Sequence, residues 1–356
     1  MTSKERVLAA IQHKTPDRIP VDIRFSPEAQ AKLNKALSMS TEEVGAWLGL
    51  DMLTIRPFYT KAISPIKYAD PTVEIDGNGY FVDIYGVPFK LIKNDYQDYL
   101  ENTEILPLRD FNTIDKLDNY LWPTLEGWDY SNIEALLDKH ADKAAWCRSR
   151  GFFTTAQMMR GMDTFLIDLS LNPNYALTIA EHIMKFVYAD AEKTLQAGKG
   201  KYAVIEYNDD VGMQKSMMIS PAMWWQYIKP IVRSFCDLAH KYGTYLKCHS
   251  CGSIYPIIPD LIEIGVDILN PIQPLAKDMD PFKLKKEFGK DICFHGGVDI
   301  QNLLPFSSPE KVKDHVKRLI DEVGKDGGYI LSGSHTLQAD TKVENLIALR
   351  EAIYGK

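Results

Sequence analysis

The feature that most constrains this chain is a unit that repeats through its C-terminal two-thirds. In each unit a short run rich in β-branched and aromatic residues ends in polar residues, and a helical stretch follows. This alternation is typical of βα units around a parallel sheet. It predicts strands at 202–210, 243–252, 266–274, 291–299 and 328–336.

Three earlier segments, 18–25, 51–58 and 144–153, bring the number of predicted strands to eight. Eight strands separated by helices favour an α/β fold of the (β/α)8 TIM-barrel type. Such barrels often occupy a chain of 356 residues as one domain, and no Ser/Gly linker or low-complexity segment interrupts this one. We therefore expect a single domain over residues 1–356.

One stretch near the N-terminus departs from the repeated unit. Residues 71–95 alternate aromatic and polar residues around turn signals at 77–79 and 85–86. This pattern predicts an inserted β-hairpin region. We expect such an insertion, after an early strand, to be able to act as a lid.

Composition and charge argue against several classes of function. The chain is 45% hydrophobic and 25% charged, and its apolar runs are too short to span a bilayer. The first 20 residues are typical of an amphipathic helix rather than a signal peptide, so we expect a cytoplasmic protein. A net charge of -7 is unfavourable for binding nucleic acid. Five cysteines, an odd number, favour reduced thiols over a disulfide framework.

Polar residues at the carboxyl ends of the predicted strands are the candidates for function, because these ends converge on one face of a barrel. They are Asp22, Arg24, Arg56, Arg148, Arg150, Glu206, Asn208, Asp209, Asp210, His249, Cys251, Asn270, Gln273, His295, Asp299, Ser334 and His335.

The segment KCHSCGS, residues 247–253, carries the sharpest hypothesis. His249 and Cys251 are two residues apart on an extended segment, so both side chains point to the same side and can bind one ion. Imidazole nitrogen and thiolate sulfur are ligands that Zn²⁺ prefers. Cys248 is expected to point the other way, into the barrel wall. A packed core histidine, or a redox pair formed by the two cysteines, are the alternatives.

A catalytic zinc site needs a third protein ligand. His335, at the end of the last predicted strand, is the preferred candidate, and an acid among Glu206, Asp209 and Asp210 is the reserve. His295 precedes two glycines and is expected to be structural rather than a ligand.

Several segments together resemble the uroporphyrinogen decarboxylase superfamily, and within it the corrinoid-dependent methyltransferase branch. The resemblance covers nearly the whole chain. Its anchors are ERVLAAIQHKTPDRIPVD (5–22), DDVGMQKSMMISPAMWWQYIKP (209–230), LKCHSCGSIYPIIPDLIEIGVDILNPIQP (246–274), FGKDICFHGGVDIQNLL (288–304) and GGYILSGSHTLQADTKVENLIALREAI (327–353).

The resemblance implies a zinc site on His249 and Cys251, which match the His-x-Cys pair of the methyltransferases. Coenzyme M-type members take their third ligand from a cysteine in the last strand-end loop, where this chain has His335. The decarboxylases need no metal and bind a polycarboxylate through an N-terminal arginine motif, of which this chain has Arg24 alone.

The ligand set implies a choice of substrate. Two thiolates cancel the charge of Zn²⁺, whereas His249, Cys251 and His335 leave one positive charge and a stronger Lewis acid. This charge count favours methyl removal from a small methoxylated substrate, and the resemblance implies cobalamin carried by a partner corrinoid protein. A homodimer is one expected assembly. The predicted functional side chains are Glu206, Asp209 and Asp210 as catalytic acids and Arg24, Arg148, Asn270 and Gln273 as substrate contacts. A metal-free lyase or a thiol methyltransferase is the alternative.

Overall fold

The computed structural model describes residues 1–59, 80–92, 99–102 and 105–355. The strands of these residues are β1 (Met52–Thr54), β2 (Phe58–Tyr59), β3 (Tyr80–Val82), β4 (Pro88–Ile92), β5 (Tyr99–Asn102), β6 (Trp128–Asp129), β7 (Ala144–Arg150), β8 (Val204–Asn208), β9 (Tyr245–His249), β10 (Ile268–Ile272), β11 (Cys293–Val298) and β12 (Tyr329–Gly333). Seven of them form one curled parallel sheet in the order β1-β7-β8-β9-β10-β11-β12.

The eighth position of the barrel is filled by a short bridging segment instead of the full strand predicted there. Val21 pairs in parallel with Leu331 of β12, and the Asp51 N–H donates to the Val21 carbonyl at the entrance to β1. Pro20 has no N–H, so only its carbonyl takes part, accepting from Leu331. Hydrogen bonds to both neighbours thus close the barrel, and the α/β TIM-barrel prediction is confirmed.

Helices surround this sheet, and their starts follow local sequence. The Ser220 hydroxyl accepts from the Met223 N–H, with Pro221 in the first turn, as expected for the helix that follows β8. The helices are α1 (Ser3–Ile11), α2 (Pro27–Leu37), α3 (Thr41–Leu48), α4 (Ile114–Asp118), α5 (Ile133–Lys139), α6 (Phe152–Arg160), α7 (Met162–Leu171), α8 (Pro173–Gly198), α9 (Pro221–Tyr227), α10 (Lys229–Lys241), α11 (Ile258–Glu263), α12 (Pro281–Phe288), α13 (Leu303–Phe306), α14 (Pro309–Arg318) and α15 (Val343–Tyr354), with short turns at Tyr255–Ile257 and Leu319–Val323.

The two ends of the barrel differ in chemistry. At the amino ends of the strands, Val7 and Ala10 of α1 pack against buried apolar residues such as Met52, Val204 and Ile268. This apolar packing covers the amino ends of the strands, so among the described residues the polar side chains of the barrel are gathered at the opposite, carboxyl end.

The hairpin predicted over 71–95 lies partly outside the described residues, so as a whole it stays a prediction. Inside that range, β3 and β4 pair antiparallel, and β4 pairs with β5 beyond it. Gly86 has φ +75 in the turn between β3 and β4, a conformation that favours glycine. Across the described part of the chain, every helix is too short or too polar to cross a membrane.

Candidate metal centre at the carboxyl ends of the strands

Three donor atoms meet just beyond β8 and β9. The His249 Nε2 lies 3.6 Å from the Cys251 Sγ and 3.6 Å from the Asp210 Oδ1. All the ligand atoms of this group lie within 4.8 Å of one another. Asp210 comes from the loop after β8, and His249 and Cys251 come from the end of β9 and the loop that follows it, so two chain segments fix the group.

The loop that carries Cys251 is held against the loop that carries Asp210. The Cys251 N–H donates to Asp210 Oδ1 over 2.8 Å, and the Ser253 N–H donates to the Met213 carbonyl over 2.7 Å. Gly252 lies between them with φ +84, and a Cβ there would come 2.6 Å from the carbonyl carbon of Gly212. Only glycine fits this close contact of two backbones, so the glycine after Cys251 has a structural reason.

A hydrogen bond to Asn270, on the side of the ring away from Cys251 and Asp210, fixes the orientation of His249. Its Nδ1 lies 2.5 Å from the Asn270 Oδ1, an oxygen that can only accept, so Nδ1 carries the proton and Nε2 presents its lone pair to Cys251 and Asp210. Burial lowers the pKa of His249 to about 4, although Glu206 and Asp210 oppose this shift. The ring is therefore neutral at pH 7, the form that binds a metal.

The donor separations fit a zinc ion. Bonds of about 2.3 Å to sulfur and about 2.0–2.1 Å to nitrogen or oxygen, at a tetrahedral angle, separate two donors by about 3.5 Å. The two 3.6 Å distances around His249 agree with that value. Burial and then Asp210 raise the pKa of the Cys251 thiol to about 12, so the metal must displace a proton from sulfur when it binds.

His335, the expected third ligand, is not part of this group, whose third member is Asp210, one of the reserve acids; that either residue binds a metal stays a prediction. The ring centroid of His335 lies 6.4 Å from that of His249. With Cys251 it lines a cavity of about 440 Å³. The remaining lining residues are Gly212, Met213, Gln214, Gly252, Gln273, Ile300, Gln301 and Ser334. Burial, and then the charge of Arg24, lowers the pKa of His335.

The other two predicted acids lie apart from the donor group. Asp209 is buried and accepts from the N–H groups of Phe153 and Thr154, so it caps the start of α6. Burial raises the pKa of Asp209 to about 6. Glu206 lies inside the barrel, with Oε2 3.0 Å from Lys247 Nζ. Burial is the largest influence and opposes its ionisation, but the positive neighbours of Glu206, with Lys247 the strongest and Arg148 and Arg24 among the others, together outweigh burial and lower its pKa to about 2.

Of the four predicted substrate contacts, Gln273 lines the cavity, and the other three are not among its lining residues. Gln273 lines the cavity, and its Oε1 accepts from the Gly252 N–H over 2.9 Å. Asn270 is 2% exposed and lies behind His249. Arg148 pairs with Glu206 over 3.2 Å, and the Arg24 guanidinium lies 5.5 Å from the ring of Trp146. Their contact with a substrate stays a prediction.

Sequence reasoning missed Lys247 and gave His295 no role at the site. Lys247 is two residues before His249 on the same strand, so the alternation used for His249 places it on the same inner face. Cys248 takes the opposite face, where it lines a small apolar space with Trp224, as expected. His295 is fully buried, and its Nδ1 is hydrogen-bonded to Asn270.

Comparison with known proteins agrees with this architecture. A family model described as Uroporphyrinogen decarboxylase (URO-D) matches residues 99–355. No curated protein matches the chain. A solved methyltransferase from Methanosarcina mazei is similar over 100% of this chain and 99% of its own, with 17% identity and a TM-score of 0.68. A β-L-arabinopyranosidase from Geobacillus stearothermophilus covers 97% of this chain and 78% of its own, at 11% identity and a TM-score of 0.42, which is too low to carry an argument.

Proposed function

Because the chain belongs to the uroporphyrinogen decarboxylase family, we propose that it is a zinc-dependent methyltransferase that removes a methyl group from a small methoxylated molecule. The acceptor is a corrinoid carried by a partner protein. The observation that carries the proposal is the group of Asp210, His249 and Cys251 at the barrel mouth, beside a cavity of about 440 Å³. The full-length likeness to a methyltransferase supports the fold on which such a site is built.

Each donor of the group has a defined part in holding zinc. His249 offers a neutral nitrogen whose direction Asn270 fixes. Cys251 offers sulfur after losing its proton, and Asp210 offers the carboxylate oxygen that also accepts from the Cys251 backbone. When bound, zinc supplies a Lewis acid that polarises the oxygen to which the methyl group is attached.

The cavity residues position the substrate. Three glutamines, Gln214, Gln273 and Gln301, line it together with Met213 and Ile300, so it offers amide groups and apolar surface to a small molecule. His335 is neutral because burial lowers its pKa, and its ring N–H can donate to the oxygen that loses the methyl group. Positioning and polarisation are thus the chain's contribution, and the methyl acceptor comes from outside.

The donor set also supports a second candidate, a thiol methyltransferase. The expectation of a residual positive charge assumed His335 as third ligand. With the Cys251 thiolate and the Asp210 carboxylate around Zn²⁺, the formal charge is zero, as it is with two thiolates. A neutral site keeps a substrate thiolate nucleophilic. Carboxylate oxygen is a harder ligand than thiolate, and for this reason we place the methoxylated substrate first.

The experiment is a comparison of two cysteine variants purified without oxygen. Wild type and Cys248→Ala are expected to hold about one zinc per chain, and Cys251→Ala to lose it. Wild type with zinc is then supplied either with a methoxylated arene and a reduced corrinoid, or with a thiol and a methylated corrinoid. Absorbance follows the methylation of cobalt in the first assay and its demethylation in the second. Equal zinc loss in both cysteine variants, or no zinc in wild type after reconstitution, would overturn the proposal.

A further inference from the structure

A chain of hydrogen bonds runs behind His249 through the interior of the barrel. The Asp22 Oδ2 lies 2.9 Å from the His295 Nε2, the His295 Nδ1 contacts the Asn270 Nδ2, and the Asn270 Oδ1 lies 2.5 Å from the His249 Nδ1. All four side chains are at least nine-tenths buried, with exposed fractions of 4%, 0%, 2% and 5% in that order. The four groups are therefore shielded from bulk solvent, and each has its neighbour in this series as a hydrogen-bond partner.

The donors and acceptors in this series of hydrogen bonds can be assigned in only one way. A carboxylate only accepts, so the His295 Nε2 donates to Asp22. Burial lowers the pKa of His295, so the ring is neutral and its Nδ1 is left as an acceptor for the Asn270 amide. The orientation of that amide has independent support, because Asn270 Nδ2 also lies 3.5 Å from the His295 carbonyl, which only accepts. The amide oxygen is thus left to accept the His249 Nδ1 proton.

We propose that Asp22 and His295 are positioning residues that fix, through Asn270, the tautomer of His249 with its proton on Nδ1. The inference rests on the proposed metal site, because only a lone pair on Nε2 can bind an ion that faces Cys251 and Asp210. It gives Asp22, which is far from the donor group along the chain, a role in metal affinity.

Loss of the acceptor at position 22 should exchange the donor and acceptor roles along this series of hydrogen bonds. A buried His295 N–H without an acceptor is costly, so the proton moves from Nε2 to Nδ1. That proton then points at Asn270, whose amide must turn its oxygen toward His295 and its NH2 toward His249. His249 in turn accepts at Nδ1 and carries its proton on Nε2, where it blocks the metal.

Two variants at position 22 separate this role from a purely structural one. Asp22→Leu and Asp22→Asn both remove the negative charge, but only the asparagine keeps an oxygen that accepts from His295. The tautomer of His249 is read from nitrogen-15 NMR of histidine-labelled, zinc-free protein, and zinc affinity is read by competition with a chelator. We expect wild type and Asp22→Asn to carry the proton on Nδ1. We expect Asp22→Leu to carry it on Nε2 and to bind zinc about 10–100-fold more weakly.

His315→Phe serves as the matched control, because His315 is a partly buried histidine near β11 that contacts the Gly297 carbonyl instead of Asn270. It should leave the tautomer and the zinc affinity unchanged. Should Asp22→Leu fail to fold, His295→Phe replaces it, since it frees the Asn270 amide to turn and should give a mixture of tautomers.

The inference is overturned when the Nδ1–H tautomer persists in Asp22→Leu, or in His295→Phe, with zinc affinity within about twofold of wild type. It is also overturned when Asp22→Asn and Asp22→Leu change equally, because loss of charge alone then explains both. If wild type binds no zinc, the proposed function fails, while the NMR comparison in zinc-free protein still decides the inference.

Discussion

The Glu206 carboxylate and the Lys247 ammonium face each other across β8 and β9, with Oε2 3.0 Å from Nζ and neither side chain exposed to solvent. The ammonium also lies 3.7 Å from the centroid of the Trp146 ring, a cation–π contact. Arg148 approaches the other carboxylate oxygen over 3.2 Å. Glu206 is therefore engaged on both sides by cations, which favours a supporting role inside the barrel over proton transfer to a substrate.

Breaking this pair from one side should destabilise the barrel strongly. Glu206→Leu leaves the Lys247 ammonium buried without its counterion, and we expect the free energy of unfolding to fall by about 3–5 kcal/mol. The double variant Glu206→Leu with Lys247→Met removes both charges and should lie much closer to wild type. Urea unfolding of wild type, both single variants and the double variant measures this coupling. A double variant as unstable as the sum of the single ones would show that the pair is not coupled.

The Glu206 carboxylate should stabilise the folded protein at neutral pH and lose this contribution in acid. The folded state lowers the pKa of Glu206 from 4.5 to about 2: burial opposes ionisation, but Lys247 and the other positive neighbours together outweigh it. A lowered folded pKa means that the contribution is present above the unfolded pKa and is lost as the pH falls from about 4.5 toward about 2. The melting-temperature difference between wild type and Glu206→Gln should therefore shrink on acidification from pH 7. A difference that stays constant would contradict this assignment.

Of the adjacent acids, Asp209 should contribute to the stability of the fold and Asp210 to zinc binding. Asp209 accepts from two backbone N–H groups at the start of α6, so Asp209→Asn, with one acceptor oxygen in place of two, should lower stability by about 1 kcal/mol and leave zinc content unchanged. Asp210→Ala should lose zinc with a smaller change in melting temperature. Metal analysis and thermal unfolding of both variants test this pair, and zinc loss in Asp209→Asn alone would reverse the assignment.

His335 should act on the substrate without holding the metal. It lines the cavity beside Cys251 but lies outside the group of donors within 4.8 Å. His335→Ala is expected to retain about one zinc per chain and to lose methyl transfer by about 100-fold or more. Metal analysis combined with single-turnover kinetics distinguishes the two roles. Zinc loss in this variant would instead restore His335 as the third ligand expected from the sequence.

The barrel was predictable because each strand keeps its own local pattern, with buried runs that end in polar residues. The pairing of His249 with Cys251 followed in the same way from side-chain alternation. The third donor did not, because Asp210 and His335 follow different strands, and the choice between them depends on how two loops pack. The cluster of Asp22, His295 and Asn270 was also beyond reach, since their contacts join residues 25 and 273 positions apart.

The contact between the two loops at the donor group should be intolerant of a single methyl group. Gly252→Ala places a Cβ 2.6 Å from the carbonyl carbon of Gly212 at a φ of +84, so both steric overlap and backbone strain oppose it. We expect the Cys251 loop to move, zinc affinity to fall by at least about tenfold and stability to fall by more than the roughly 1–2 kcal/mol of strain alone. Gly243→Ala is the matched control, because Gly243 has φ +67 and a Cβ added there would meet nothing within 4 Å. It should show the cost of strain and keep its zinc, so equal zinc loss in both variants would mean that loop contact does not position Cys251.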